Sequence, residues 1–169
     1  MNRALAEWNR AVAEDALEAM IACCGARRWA SAMVDRRPFA SIVDLSEAAD
    51  LAWNEMQEVD WLEAFACHPR IGERKAMHAS AQSVAWSRQE QATAASASEQ
   101  ILSELAEGNV LYAERFGFTY LVCATGKSAE EMLAILQRRL TNDRDTELRE
   151  AAEQQRQILQ IRLGKWLMQ

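Results

Sequence analysis

Cys67-His68-Pro69-Arg70-Ile71-Gly72-Glu73-Arg74-Lys75 lies between two segments of helical periodicity and organises the reading of the whole chain. Pro69 disfavours helical geometry at His68, so the preceding helix is expected to stop there and leave an imidazole at its carbonyl end. Imidazole exchanges protons near neutral pH, with an unperturbed pKa of ~6.5, which makes His68 a candidate acid–base group. The competing reading is a histidine that only complements the helix dipole. His78, a few residues on, has no helical partner histidine and no acidic neighbour at ligand spacing, and reads as a solvated loop residue.

Outward from this stretch, the composition is that of a helical protein. The 169 residues are half apolar and a quarter charged, with only six Gly and two Pro. The expected fold is all-α: a single compact multi-helix domain over residues 1–169, with one short extended segment near 118–124. A net charge of −6 and scattered Arg and Lys argue against nucleic acid. No apolar run is long enough for a membrane span. Cys23, Cys24, Cys67 and Cys123 lack zinc-ligand spacing and follow no secretory leader, so buried, reduced thiols in a cytoplasmic protein are expected, with no metal. The terminal Leu167-Met168-Gln169 is not a peroxisomal address.

Before the central stretch, Leu5, Trp8, Val12, Leu17, Met20 and Ile21 predict one helix stopped by Gly25. A shorter helix carries Trp29 and Met33. Asp44 or Ser46 is the expected cap for the next, through Trp53 and Met56, and Asp60 the cap for Trp61 to Cys67. Residues 70–85 show no clean period and read as a surface loop.

After it, Ser87-x-x-Glu90 fits a capping box that opens a helix through Ile101, Leu102 and Leu105 to Gly108. On that helix Glu90 falls about 20 degrees from Ile101, a carboxylate on a partly apolar face. Asn109 to Phe116 reads as a separate short helix ending at Gly117. Phe118 to Ala124 is too short for a sheet, and its backbone groups need partners: a polar ligand, side chains or water. Gly126-Lys127-Ser128 is not a phosphate loop, because Leu121 stands where the earlier glycine belongs; Ser128-x-x-Glu131 is instead a capping box. The last helix, roughly Thr146 to Leu167, carries Leu148, Ala152, Leu159, Leu163 and Trp166 on one stripe, with Arg162 inside it and Arg149 and Arg156 on its flank. An unpaired buried guanidinium costs about 3 to 5 kcal/mol, so Arg162 either snorkels to water or meets an anion.

Four elements then occur in register: His68-Pro69-Arg70-Ile71-Gly72, Ser87-x-x-Glu90-Gln91, Asn109-x-x-Tyr112-x-x-Arg115-Phe116-Gly117 and Ile161-Arg162-Leu163. Together they resemble the 2-oxo-4-hydroxy-4-carboxy-5-ureidoimidazoline (OHCU) decarboxylase family, whose reaction ends the route from urate to (S)-allantoin. The resemblance covers almost the whole chain. It implies an all-helical, usually homodimeric enzyme that needs no metal or organic cofactor and acts on a small ureide. By matching positions, it implies that His68, Glu90 and Arg162 are catalytic, and that substrate is also held by Pro69, by Ser87, Arg88, Gln89 and Gln91, and by backbone of Tyr120, Leu121, Val122, Cys123 and Ala124. The chain departs from the family pattern at Thr119-Tyr120, where many relatives have Pro-Phe. Two other readings remain: a non-catalytic helical module that senses a ureide or serves as a partner platform, and a purely structural helical protein.

Overall fold

The computed structural model describes residues 2–71, 80–92 and 97–169. Among them there are nine helices and no strand: α1 (Arg3–Arg10), α2 (Ala13–Cys24), α3 (Arg27–Asp35), α4 (Ile42–Asn54), α5 (Glu58–Ala66), α6 (Ala81–Glu90), α7 (Glu99–Phe116), α8 (Ala129–Arg139) and α9 (Arg144–Trp166). The all-α expectation is met. The chain divides into two compact units, Met1–Ala64 with Arg156–Gln169, and Phe65–Gln155. None of the helices among the described residues is long and apolar enough to cross a membrane.

In the first unit the expected single N-terminal helix is two. Residues 11 and 12 leave helical geometry, and Val12, read as part of the apolar stripe, is exposed. The break is held from outside the helix: Arg37 donates from Nη1 to the carbonyls of Trp8 (2.7 Å) and Ala11 (3.0 Å), satisfying the end of α1. Trp8 is buried, stacks on Phe39, meets Trp166 edge-on and donates its indole N–H to the Ala16 carbonyl. Gly25 ends α2 as expected, at φ +89°, a left-handed conformation that suits glycine.

Two caps in this unit differ from expectation. Ser41, neither Asp44 nor Ser46, caps α4 by accepting from the Asp44 N–H at 3.1 Å. Asp60 lies inside α5, where its carboxylate reaches back to the Gln57 N–H (2.9 Å) and pairs with Arg28 (3.0 Å). A carboxylate at the third helical position serves a helix start as well as one at the cap itself, so the residue was right and its register was not. The end of α9 is tied to α4 by Gln160, which donates to the Ser46 carbonyl and Asp50, and by Arg156, which pairs with Asp50.

The second unit is built on α7 and α8. What the sequence presents as a helix to Gly108 followed by another from Asn109 is the single helix α7, capped by Ser98 and closed by Gly117 at φ +81°. Gly108 is not a stop. It packs closely against α8: a Cβ there would lie 2.5 Å from Leu136 Cδ2. The expected capping box of Ser128 and Glu131 opens α8 with both reciprocal hydrogen bonds. Asp143 caps α9 by accepting from the Thr146 N–H and hydroxyl, bonds that hold its carboxyl below the usual range, the backbone bond contributing most.

Tyr112, Phe116, Phe118 and Tyr120 pack as a ring cluster with centroids 4.7 to 6.1 Å apart, and Phe65 joins it through Phe118. Beneath the tyrosines lie Arg139 and Glu147, both fully buried. Arg139 donates from Nε to Glu147 (2.8 Å), from Nη1 to the Leu121 carbonyl (2.7 Å) and from Nη2 to the Tyr112 hydroxyl (3.3 Å). Glu147 also accepts from the Tyr112 hydroxyl and from Asn142 Nδ2. Burial works against the Arg139 charge, but the Glu147 hydrogen bond and the surrounding negative field more than offset it and hold the guanidinium charged.

Two stability outcomes are expected. Gly108→Ala gains about 1 kcal/mol of helix propensity but overpacks the fully buried Leu136 at a cost of about 2 kcal/mol; the net loss of about 1 kcal/mol should lower a thermal melt by about 2 to 4 °C. Glu147→Ala strands the Arg139 charge and should lose about 3 to 5 kcal/mol in urea unfolding, whereas Arg139→Met with Glu147→Leu together should recover most of it.

Candidate active site

His68 follows the last turn of α5, its N–H bonded to the Phe65 carbonyl at 3.1 Å, with Pro69 preventing another turn. The expectation for the helix end is met. The imidazole is more deeply placed than a surface dipole cap would be, with the residue 7 % exposed and Pro69 and Ile71 also buried. Phe65, one turn earlier, packs its ring at a tilt against Phe118, centroids 5.5 Å apart, which anchors the helix exit beside the start of the extended run. His78 and residues 72–79 lie outside the described residues, and with them most of the expected surface loop.

Residues 81–85 of that expected loop are helical, and this changes the reading of Ser87 and Glu90. Helix α6 is capped by Ser80, whose hydroxyl accepts from the Ser83 N–H at 3.1 Å. Ser87 and Glu90 therefore occupy its last turn. The Ser87-to-Glu90 capping box does not form, and the helix does not continue to Gly108: α6 ends at Glu90, and α7 starts anew at Glu99. The Ser-x-x-Glu pattern misled because Ser80 already caps the helix about two turns earlier.

Ser83, Trp86 and Ser87 are the buried face of α6, and Glu90, half-buried, is three residues beyond Ser87 on that same face. A helix face carrying two hydroxyls and a carboxylate can present several polar groups to a ligand. Arg88 and Gln89 are exposed on the other side, and Gln91 is half-buried at the helix end. Ser83 went unnoticed in the sequence because its partner spacing, four residues from Ser87, becomes visible only once the helix is known to start at Ser80.

The run from Phe118 to Ala124 is neither helical nor paired as a strand, and it is buried apart from half-buried Thr119. Side chains supply many of its partners. Arg139 donates to the Leu121 carbonyl, Gln154 Oε1 accepts from the Cys123 N–H at 2.8 Å, and Lys127 Nζ donates to the Cys123 carbonyl at 2.7 Å. The Tyr120 hydroxyl donates to the Met132 carbonyl, and burial pushes that phenol well above its ordinary pKa, so it stays a neutral donor. Lys127 is thus a backbone clamp, in keeping with the rejection of a phosphate loop.

His68, α6 and the extended run all belong to the second unit. Arg162 belongs to the first. It is 1 % exposed, so it does not snorkel, and its positive charge acts on the fully buried thiol of Cys23. Burial is the larger influence on that thiol and pushes it far above its ordinary pKa, which leaves it unreactive. All four cysteines are buried and none forms a disulfide. Among the described residues no group of three His, Cys, Asp or Glu side chains is placed to hold a metal ion.

Known proteins resemble the chain throughout. The family model for OHCU decarboxylase matches residues 9–164. The uric acid degradation bifunctional protein TTL of Arabidopsis thaliana is 39 % identical over 144 residues, 85 % of this chain; the chain spans 44 % of that longer protein. A 2-oxo-4-hydroxy-4-carboxy-5-ureidoimidazoline decarboxylase of Haloferax volcanii is 28 % identical over 131 residues, covering 76 % of this chain and 74 % of its own length. A crystal structure of OHCU decarboxylase in the presence of (S)-allantoin superposes with a TM-score of 0.77 at 34 % identity, covering 94 % of this chain and 100 % of the other.

Proposed function

The chain belongs to the OHCU decarboxylase family, and on that premise we propose that it decarboxylates 2-oxo-4-hydroxy-4-carboxy-5-ureidoimidazoline to (S)-allantoin in urate degradation. The observation that carries this reading is a buried histidine just beyond a proline-stopped helix, in a chain that matches the family nearly end to end.

Loss of carbon dioxide leaves an electron pair on the ring carbon. The substrate delocalises it into its own adjacent C=N bond, giving an enol-like species. The protein must then orient the ring, stabilise that species and deliver a proton to one face. His68 takes a proton from the substrate and returns one to the new stereocentre. Its burial, shared with neighbouring Pro69 and Ile71, suits it to a geometry that favours one face. Glu90, on the polar face of α6, accepts hydrogen bonds from ureido or ring N–H groups, with Ser87 and Gln91 beside it. Arg162 binds an oxyanionic part of the substrate through its planar fork. Tight binding to the departing carboxylate alone would stabilise the ground state and gain nothing in rate, so its partner is oxygen that gains charge as the reaction proceeds. Pro69 and backbone of the run from Tyr120 to Ala124 complete the contacts. Arg88 and Gln89, exposed on α6, contribute through backbone or not at all. A cytoplasmic homodimer is the form implied by the family likeness; sedimentation velocity measures the assembly.

The direct test oxidises urate in the presence of the chain and follows circular dichroism. Rapid growth of the (S)-allantoin signal above the slow racemic background is expected; binding of (S)-allantoin without turnover would favour the non-catalytic ureide module. His68→Asn should lower turnover by at least ~100-fold with unchanged helical content, and retention of most activity would remove its proton-transfer role. Arg162→Lys should remain poor in kcat/KM, because an ammonium does not reproduce a bidentate contact; activity near wild type would show that a point charge suffices.

A further inference from the structure

Three consecutive peptide groups of the extended run are each held at one end by a side chain. The Leu121 carbonyl is held by Arg139, the Cys123 N–H by Gln154 and the Cys123 carbonyl by Lys127. These peptides are trans, so the C=O and N–H of each point in opposite directions. Holding the Leu121 carbonyl therefore turns the Val122 N–H the other way. Holding the Cys123 N–H turns the Val122 carbonyl away from Gln154, and holding the Cys123 carbonyl turns the Ala124 N–H away from Lys127. Among the described residues, these three outward groups have no hydrogen-bond partner, although Val122 and Ala124 are 6 % and 5 % exposed. A buried peptide group without a partner costs about 1 to 3 kcal/mol, so a segment that leaves a donor, an acceptor and a donor unmatched in sequence is built to meet something polar.

The geometry points to Gln154, with Arg139 and Lys127, as positioning residues that aim the Val122 N–H, the Val122 carbonyl and the Ala124 N–H at the ureide, an assignment that rests on the decarboxylase reading above. A ureide offers alternating carbonyl and N–H groups, the complement of this donor–acceptor–donor series. None of the three side chains need touch the substrate. Their work is to stop the peptides from rotating: Arg139 is itself locked by Glu147 and Tyr112, and Gln154 is carried on α9. Gln154 is the informative member. It is half-buried, accepts a single described hydrogen bond, and can be changed without stranding a buried charge.

The test compares Gln154→Met, which keeps the length of the side chain and removes the acceptor, with Gln154→Glu, which keeps the acceptor. For Gln154→Met, the calorimetric Kd for (S)-allantoin and the KM for the substrate should rise about tenfold, with thermal midpoint and helical dichroism unchanged; Gln154→Glu should stay within about twofold of wild type. Wild-type binding by Gln154→Met overturns the assignment, as does an equal loss in both variants. Should Gln154→Met fold poorly, amide exchange on the wild-type chain decides. The Cys123 amide should be protected without ligand, and the Val122 and Ala124 amides only when (S)-allantoin is added; protection of the latter two that does not depend on (S)-allantoin overturns the assignment. A wild-type chain that neither binds (S)-allantoin nor turns over substrate would instead sink the decarboxylase reading, and this assignment with it.

Discussion

A guanidinium and a carboxylate shut away from water set the terms for the second unit of this protein. Arg139 and Glu147 are each fully buried, and charges so placed are tolerated only when nearly every donor and acceptor around them is matched. The matching recruits Tyr112 from α7, Asn142 from the turn before α9 and the carbonyl of Leu121 from a segment with no regular structure of its own. A network of this kind has few alternative arrangements, because losing one member leaves an uncompensated charge. It therefore transfers the rigidity of two helices to a stretch of backbone that would otherwise have none.

That transfer matters for chemistry because a decarboxylation of this type asks the protein for placement more than for reactivity. The substrate carries its own electron sink, and what remains is to hold a flat, polar ring in one orientation while a proton moves. The parts to which the decarboxylase reading assigns this task sit on or against rigid elements. His68 follows directly from the end of α5, the polar face of α6 is presented by a capped helix, and the extended run is clamped from α8 and α9. Ser83 and Ser87 on α6, in the same unit as the buried imidazole, are the polar groups that the decarboxylase reading puts to use.

Much of this was legible in the chain because it is local. Pro69 ends a helix by steric clash with the residue before it, Gly25 and Gly117 end helices because only glycine adopts a left-handed backbone freely, and Ser128 with Glu131 closes a helix start within four residues. The errors share a cause. Serine, aspartate and glycine signal helix ends by short-range rules, and several positions satisfy such a rule at once. Ser80 outcompeted Ser87, Ser41 outcompeted Asp44, and Gly108 looked like a stop although it lies inside α7 where Leu136 packs close to the backbone. Arg37, which ends α1 by reaching back to the carbonyls of Trp8 and Ala11, left no local trace.

By itself, then, the sequence determined the all-helical class, the exit of α5 at His68, the caps of α8 and the family pattern of His68, Glu90 and Arg162. Tertiary structure alone decided that Glu90 sits at the end of its helix with Ser83 and Ser87 on the same face, that Arg162 is buried, and that Arg139, Gln154 and Lys127 hold the backbone between Leu121 and Ala124. The reason is physical. Helix starts and stops are settled by residues within a turn of one another, whereas the partner of a buried charge or a lone peptide group is chosen by whatever the packed chain brings within about 3 Å.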